Sequence, residues 1–360
     1  MHISKESGEE NVKRPLLQNL KLVINEISKA GTLTRAQLSD ITGLNLITIT
    51  NIVRYLERSG IVREYESIKS HPDSTVGRPP RTIGFSEDIA FLIIDLSSYN
   101  FYAEIRGADM TRCVSASHTY LKSETYDENL TRFLESVRCR ADEASAQLKI
   151  AGVCLTVPGE YSKTTDTVLS PFVHELYGVK IKELTESVIK RNVNFIIKSP
   201  NAAAMSRINE IENARTRTVI YIHIGQSVES AVCCGGTFLK GENGLASDFG
   251  KTINAVGETL DSRLERCASD VDFAAELSVL IYNLTVTFDP YVIIIESRFV
   301  REPRIMVGKI KELLRNVYHL ESERVPDISV EAERDFSRVA EGIVAFLRKN
   351  LLEGYIKQKK

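Results

Sequence analysis

Two clusters of side chains carry charge and hydrogen-bonding groups at spacings suited to gripping a polyanion. The segment Ser74-Thr-Val-Gly77-Arg78-Pro79-Pro80-Arg81-Thr-Ile-Gly-Phe85 sets two arginines around two prolines. The prolines fix φ in advance and Gly77 permits close backbone approach, so Arg78 stands on a tip that loses little freedom on docking. A narrow A·T-rich minor groove concentrates negative potential and attracts such an arginine. The second cluster is Leu46, Ile47, Thr48, Thr50, Asn51 and Arg54. Asn51 matches the donor and acceptor edge of adenine, and Leu46 and Ile47 match thymine methyl groups in a major groove. Arg35 and Arg81 complete the set of candidate nucleic-acid contacts. Each cluster also admits a plainer reading, a solvated turn for the first and, for the second, apolar side chains covered by the neighbouring loop.

The elements that must hold these residues follow from periodicity. Leu16, Leu17, Leu20, Val23, Ile24 and Ile27 recur at helical spacing from Pro15 to Ala30, and Gly31 supplies a stop. Thr34-Arg-Ala-Gln37 has the form of a capping box, opening a short helix that Gly43 breaks. Asn45 is a good N-cap for a third helix ending near Ser59-Gly60, in which Ile49, Ile52, Val53 and Leu56 form a buried stripe. The spacing is that of a helix-turn-helix. Ile61–Ile68 and Arg81–Phe85 then read as two strands with residues 69–80 as the loop between them, a wing.

Composition frames the rest. The chain has 360 residues, 43% hydrophobic and 26% charged, enough for a large core and more than one domain. Its formal charge is −2, yet residues 1–85 hold 12 Lys and Arg against 9 Asp and Glu while residues 86–360 hold 34 against 39. Positive charge is therefore in excess only where the two clusters lie. The six cysteines are scattered without a C-x-x-C pair, which argues against zinc or dithiol chemistry. The apolar runs Ala90–Ile94 and Tyr291–Ile295 are of strand length, short of the ~20 residues that span a bilayer. The first residues, with mixed charges and no apolar stretch, do not read as a secretory signal. No membrane partner and a cytoplasmic setting are expected.

Beyond Phe85 strands and helices alternate. Ala90–Ser97, Phe101–Gly107 and Cys113–Tyr120 read as three consecutive strands, followed by a helix at Glu128–Leu148 and a buried strand at Lys149–Val157. Asn194–Ile197 leads into a further helix. Thr218–Ile224, Glu229–Cys234 and Thr237–Lys240 read as a second set of three strands, and buried strands at Tyr291–Ile295 and Ile328–Glu331 precede a long helix, Phe336–Leu352. Repeated three-strand meanders followed by helices predict an α/β chain with two related lobes and a ligand cleft between them.

From about residue 14 to 350 the chain resembles the ROK family, which groups bacterial sugar-responsive repressors with sugar kinases of the actin-like ATPase fold. The resemblance rests on Leu44-Asn45 with Thr48-Ile49-Thr50, on the wing segment Val76-Gly77-Arg78-Pro79, on Val157-Pro158-Gly159 and on Asn201-Ala202-Ala203-Ala204. It departs at the chemistry. The place of the kinases' catalytic aspartate falls to Ser199, which is not a usable base near neutral pH without help. The two glycine-rich phosphate loops become Asp95-Leu-Ser-Ser-Tyr99 and Gly225-Gln-Ser-Val-Glu229-Ser-Ala231, losing glycines that let backbone N–H groups approach phosphate. The family's zinc histidine corresponds to Lys251, and its cysteine cluster has no counterpart between Thr252 and Ser262.

The resemblance thus implies a winged helix-turn-helix over residues 1–85 and a two-lobed, actin-like (ribonuclease H-like) body over residues 86–360. It implies a DNA-binding regulator, a repressor, with no catalytic residue, no cofactor and no metal. Its partners would be a duplex operator, a sugar or sugar-derivative effector and a second copy of the chain. Effector contacts would fall to Lys198, Ser199, Asn201, Asp248 and Asp261. Two other readings stay open at this point: a sugar kinase carrying a vestigial head, and a ligand-independent regulator controlled by a protein partner.

Overall fold

A computed structural model of the chain describes residues 6–66, 81–169, 173–211, 213–331 and 336–357. The amino-terminal unit runs α1 (Glu6–Ala30), β1 (Thr32–Thr34), α2 (Arg35–Thr42), α3 (Leu46–Arg58), β2 (Val62–Glu66) and β3 (Arg81–Phe85). Helix α1 begins earlier than its apolar period predicts, and β1 is an element the sequence reading lacks. That short strand pairs with β3, which also pairs with β2, giving a three-stranded antiparallel sheet. Between α2 and α3 the chain turns at Gly43, whose φ of 70° lies in the left-handed region open to glycine.

The body contains two sheets of one design. The first is built from β4 (Ile89–Asp95), β5 (Phe101–Gly107), β6 (Arg112–His118), α4 (Tyr126–Ala144), β7 (Lys149–Val157), the small hairpin β8 (Glu160–Ser162) and β9 (Thr167–Leu169), α5 (Ile181–Ile189) and β10 (Phe195–Lys198). Helix α6 (Ser199–Glu210) crosses to the second, formed by β11 (Thr218–Ile224), β12 (Val228–Cys234), β13 (Thr237–Phe238), α7 (Leu260–Glu265), α8 (Asp270–Phe288), β14 (Val292–Ser297), α9 (Pro303–Asn316) and β15 (Asp327–Glu331). Helix α10 (Phe336–Lys357) returns to the first sheet. The strand orders β10-β7-β4-β5-β6 and β15-β14-β11-β12-β13 are equivalent: the central strand, β4 or β11, is antiparallel to β5 or β12 on one side and parallel to β7 or β14 on the other. The two lobes are therefore a repeat of one unit.

Alternation along the central strands explains why both sheets are covered on both faces. On β4, Phe91 and Ile93 point to one core while Ala90, Leu92 and Ile94 point to another. On β11, Ile220, Ile222 and Ile224 face α8 and α9 while Val219 and Tyr221 face α6. Cys233 is buried and adjacent Cys234 exposed, as opposite faces of a strand require. Among the described residues one helix, α8, is long and apolar enough to cross a bilayer by length and composition. Its Phe273, Leu277, Ile281 and Leu284 are buried in the second lobe's core, so it packs as a core helix.

The amino-terminal unit is not hung on a linker. Leu20, Ile24 and Ile27 of α1, Ile49 and Leu56 of α3 and Phe85 of β3 share one core with Phe91 of β4 and with Ala340, Ile343, Val344 and Leu347 of α10. A boundary after residue 85 thus falls inside a continuous apolar core.

Candidate functional site

The first candidate surface is built by α2 and α3. Thr34 and Gln37 form a reciprocal cap, with Gln37 N donating to Thr34 Oγ1 at 3.2 Å and Thr34 N to Gln37 Oε1 at 2.9 Å. Asn45 Oδ1 accepts from Thr48 N at 2.8 Å and so fixes the first turn of α3. Ser39 Oγ donates to Leu44 O at 2.6 Å, tying α2 to the turn. Ile49, Ile52, Val53 and Leu56 are buried, which leaves the opposite side of α3 to solvent. Leu46 is 54% and Ile47 76% exposed; exposure forgoes ~1.5–3 kcal/mol for each such side chain. The described residues do not cover them. Asn51 and Arg54 are exposed beside them, and Thr48 and Thr50 half-buried, the latter donating to Leu46 O at 2.7 Å. Arg35 opens α2 and Arg81 opens β3, and both donate to Glu64, Arg81 at 2.9 Å. Gly77 and Arg78 lie outside the described residues.

The second candidate is the cleft between the lobes. One cavity of about 430 Å³ is lined by Asp95, Ser97, Thr156, Ser199, His223 and Glu296, and a neighbouring one of about 320 Å³ by His174, Lys198, Glu229, Asp248, Lys251 and Asp261. Gln226, Ser227 and Glu229 line both, so the two are compartments of one cleft. Of the five residues expected there, Lys198, Asp248 and Asp261 meet in the smaller compartment and Ser199 faces the larger. Asn201 departs from the expectation: it is 8% exposed on α6 and lines neither. It is two positions beyond Ser199, and two residues of α-helix turn a side chain by ~200°.

Electrostatics differ between the compartments. Burial pushes the Asp95 carboxyl above the ordinary range, against hydrogen bonds from Thr156 Oγ1 at 2.5 Å and Ser97 N at 3.1 Å. Burial also raises Asp248, with Lys198 and Lys251 opposing it. Asp261 Oδ1 accepts from Val228 N at 2.7 Å and its Oδ2 lies 3.6 Å from Lys251 Nζ. An ammonium in that place repels a metal cation, and no group of three or more His, Cys, Asp or Glu that could hold one occurs among the described residues. This donor set does not fit zinc.

Asp95, Thr156, His223 and Glu296 were not among the effector contacts read from the sequence. They share one signal: each is a polar residue at or near the carboxyl end of a central strand, β4, β7, β11 or β14. Crevices at the carboxyl ends of parallel strands are where α/β sheets bind ligands. Glu296 accepts from Tyr221 Oη at 3.0 Å and His223 Nδ1 lies 3.7 Å from Glu229 Oε2, so these groups are held in place from within the second lobe.

Fold and cleft together define a two-lobed α/β protein of the actin-like class, and residues 103–268 match the family model described as ROK family. Over that span the chain is similar to the ROK family. It is 20% identical over 350 residues to a xylose repressor of Staphylococcus xylosus, covering 82% of this chain and 86% of that one. Among solved structures, it is similar to a ROK family transcriptional regulator, a homologue of the E. coli MLC protein, with a TM-score of 0.66 and 16% identity over 96% of this chain and 98% of the other. A ROK hexokinase from Thermus thermophilus has a TM-score of 0.53 at 16% identity, covering 72% and 98%. At these identities the structural likeness is one of fold.

Proposed function

We propose that the chain is a transcriptional repressor whose amino-terminal unit, residues 1–85, is a winged helix-turn-helix that binds duplex DNA, and whose body, residues 86–360, senses a small sugar-like molecule. The observation that carries this is the open face of α3, where Leu46, Ile47, Asn51 and Arg54 stand exposed on a helix held at both its cap and its turn. Apolar side chains left in water at a rigid helix start gain if thymine methyl groups cover them, and Asn51 can pair with adenine. The name of the Staphylococcus relative supports the same reading. The smaller cleft compartment mixes Lys198 and Lys251 with Asp248 and Asp261. Such a set both donates to and accepts from hydroxyl groups, and therefore suits a neutral polyol better than a phosphate.

In this reading the protein works in the cytoplasm as a homodimer, with two α3 helices in successive major grooves about 34–36 Å apart and the Arg78 wings in flanking minor grooves. Occupancy of the cleft reaches the head through α10. Its Phe336 and Val339 line the larger compartment, and further along Ile343, Val344 and Leu347 share the head's core. A ligand shifts DNA affinity only as far as it binds one arrangement of α6 and α10 better than another. Phosphoryl transfer is not part of the proposal, because Ser199 stands where the resemblance places a catalytic base.

The test is electrophoretic shift of duplex fragments from upstream of the gene, titrated with D-xylose and other aldopentoses and hexoses. Salt-sensitive binding released by one sugar is expected. Absence of binding to any genomic fragment overturns the DNA assignment, and ATP-dependent phosphorylation of a sugar overturns the non-enzymatic one.

A further inference from the structure

Glu64 sits on β2 with its side chain only 16% exposed, and its two carboxylate oxygens are shared between two arginines from other elements. Arg35 Nη1, from the first position of α2, donates to Oε1. Arg81 Nη1, from the first position of β3, donates to Oε2 at 2.9 Å. Glu66 and Glu57 also face Arg81 and add negative field. The hydrogen bond from Arg81, followed by that from Arg35, holds the Glu64 carboxyl below its ordinary range, so at neutral pH the trio is ionised and carries +1 rather than +2. Arg81 opens β3, so the clasp fixes the start of that strand against α2.

We propose that Glu64 is a specificity-determining residue of the head: it fixes the direction of Arg35 and Arg81 while cancelling one of their charges. The proposal rests on the DNA-binding reading given above. Non-specific affinity for duplex DNA follows the number of phosphates neutralised, each contributing roughly −0.9 to the slope of log affinity against log salt. Two unrestrained guanidiniums would collect phosphates on any sequence. Held on one carboxylate they offer fewer net charges at fixed positions, which favours the register that places α3 on its bases. Fixing two long side chains before binding also removes an entropy loss from the bound state.

A purely structural clasp makes a different prediction. Breaking it would weaken binding to all duplexes alike and leave the salt slope unchanged.

The experiment uses the full chain, wild type, Glu64→Gln and Arg81→Gln, with fluorescence anisotropy on two labelled duplexes: one selected by the wild-type protein from a random pool, and a scrambled version of it. For Glu64→Gln the expected results are roughly threefold to tenfold tighter binding to the scrambled duplex, a salt slope steeper by about one, and a selected-to-scrambled ratio reduced about tenfold. Arg81→Gln should make the slope shallower by about one, and supplies the same answer if Glu64→Gln does not fold. Equal weakening on both duplexes with an unchanged slope in either variant overturns the proposal and leaves the DNA-binding reading standing. Failure of the wild type to select or bind any duplex overturns both.

Discussion

The guanidinium of Arg348 lies 4.4 Å from the ring centroid of Phe85, so the last strand of the amino-terminal unit is capped by a cation from the last helix of the body. Arg348 Nη1 also reaches Ser28 Oγ of α1 at 3.3 Å, while its Nε is buried without a hydrogen-bond partner among the described residues. Burial depresses its pKa to about 10, a sign that the site is poorly hydrated. Such a residue contributes through its stem and its ring contact more than through its charge.

Arg348→Ala should therefore destabilise the protein by ~1–3 kcal/mol, the range for lost packing at a buried site. Arg348→Met, which keeps the length without the charge, should recover most of that, since replacing a buried ion by an apolar side chain is often neutral or stabilising. Urea unfolding of both variants makes the check. A loss in Arg348→Met equal to that in Arg348→Ala would mean that charge, not packing, holds α10 to the head.

Replacing Asn51 by Ala should lower affinity for the selected duplex by ~1–3 kcal/mol and relax preference at one base position. Its side chain is exposed, so the thermal midpoint should stay where it is. Anisotropy titration with single-base variants of the duplex reads both quantities.

Helices α6 and α10 touch at Gly342, where an added Cβ would lie 2.5 Å from Ser206 N and 2.6 Å from its Cα. Ser206 Oγ donates to Arg338 O at 3.0 Å in the same contact. Gly342→Ala must push the two helices apart, at a cost of ~1–3 kcal/mol in unfolding free energy. It should also blunt the release of DNA by sugar, which the shift assay measures alongside an unfolding curve.

Asp248 offers a pH signature. Its folded-state pKa is raised by burial, so its contribution to stability is complete below the ordinary aspartate value of about 3.9 and is lost as pH rises through the raised value. Asp248→Asn removes that titration. The thermal midpoint of the variant relative to wild type should move upward as pH rises from the ordinary aspartate value through the raised one; a flat difference would show that Lys198 and Lys251 fully offset the burial.

Local pattern determined much of this protein. The capping box at Thr34, the N-cap at Asn45, the buried stripe from Ile49 to Leu56 and nearly every strand of both lobes were legible, because period and cap chemistry act over a few residues. What no local pattern carries is which distant residues meet. That Arg35 and Arg81 share Glu64, that Asp95, Thr156, His223 and Glu296 converge from four strands, that Asn201 turns away from the cleft, and that Phe85 and Arg348 close one core across the chain are consequences of strand order and helix packing. Those contacts join residues tens to hundreds of positions apart, and only the folded topology brings them within the few ångströms at which hydrogen bonds and packing act.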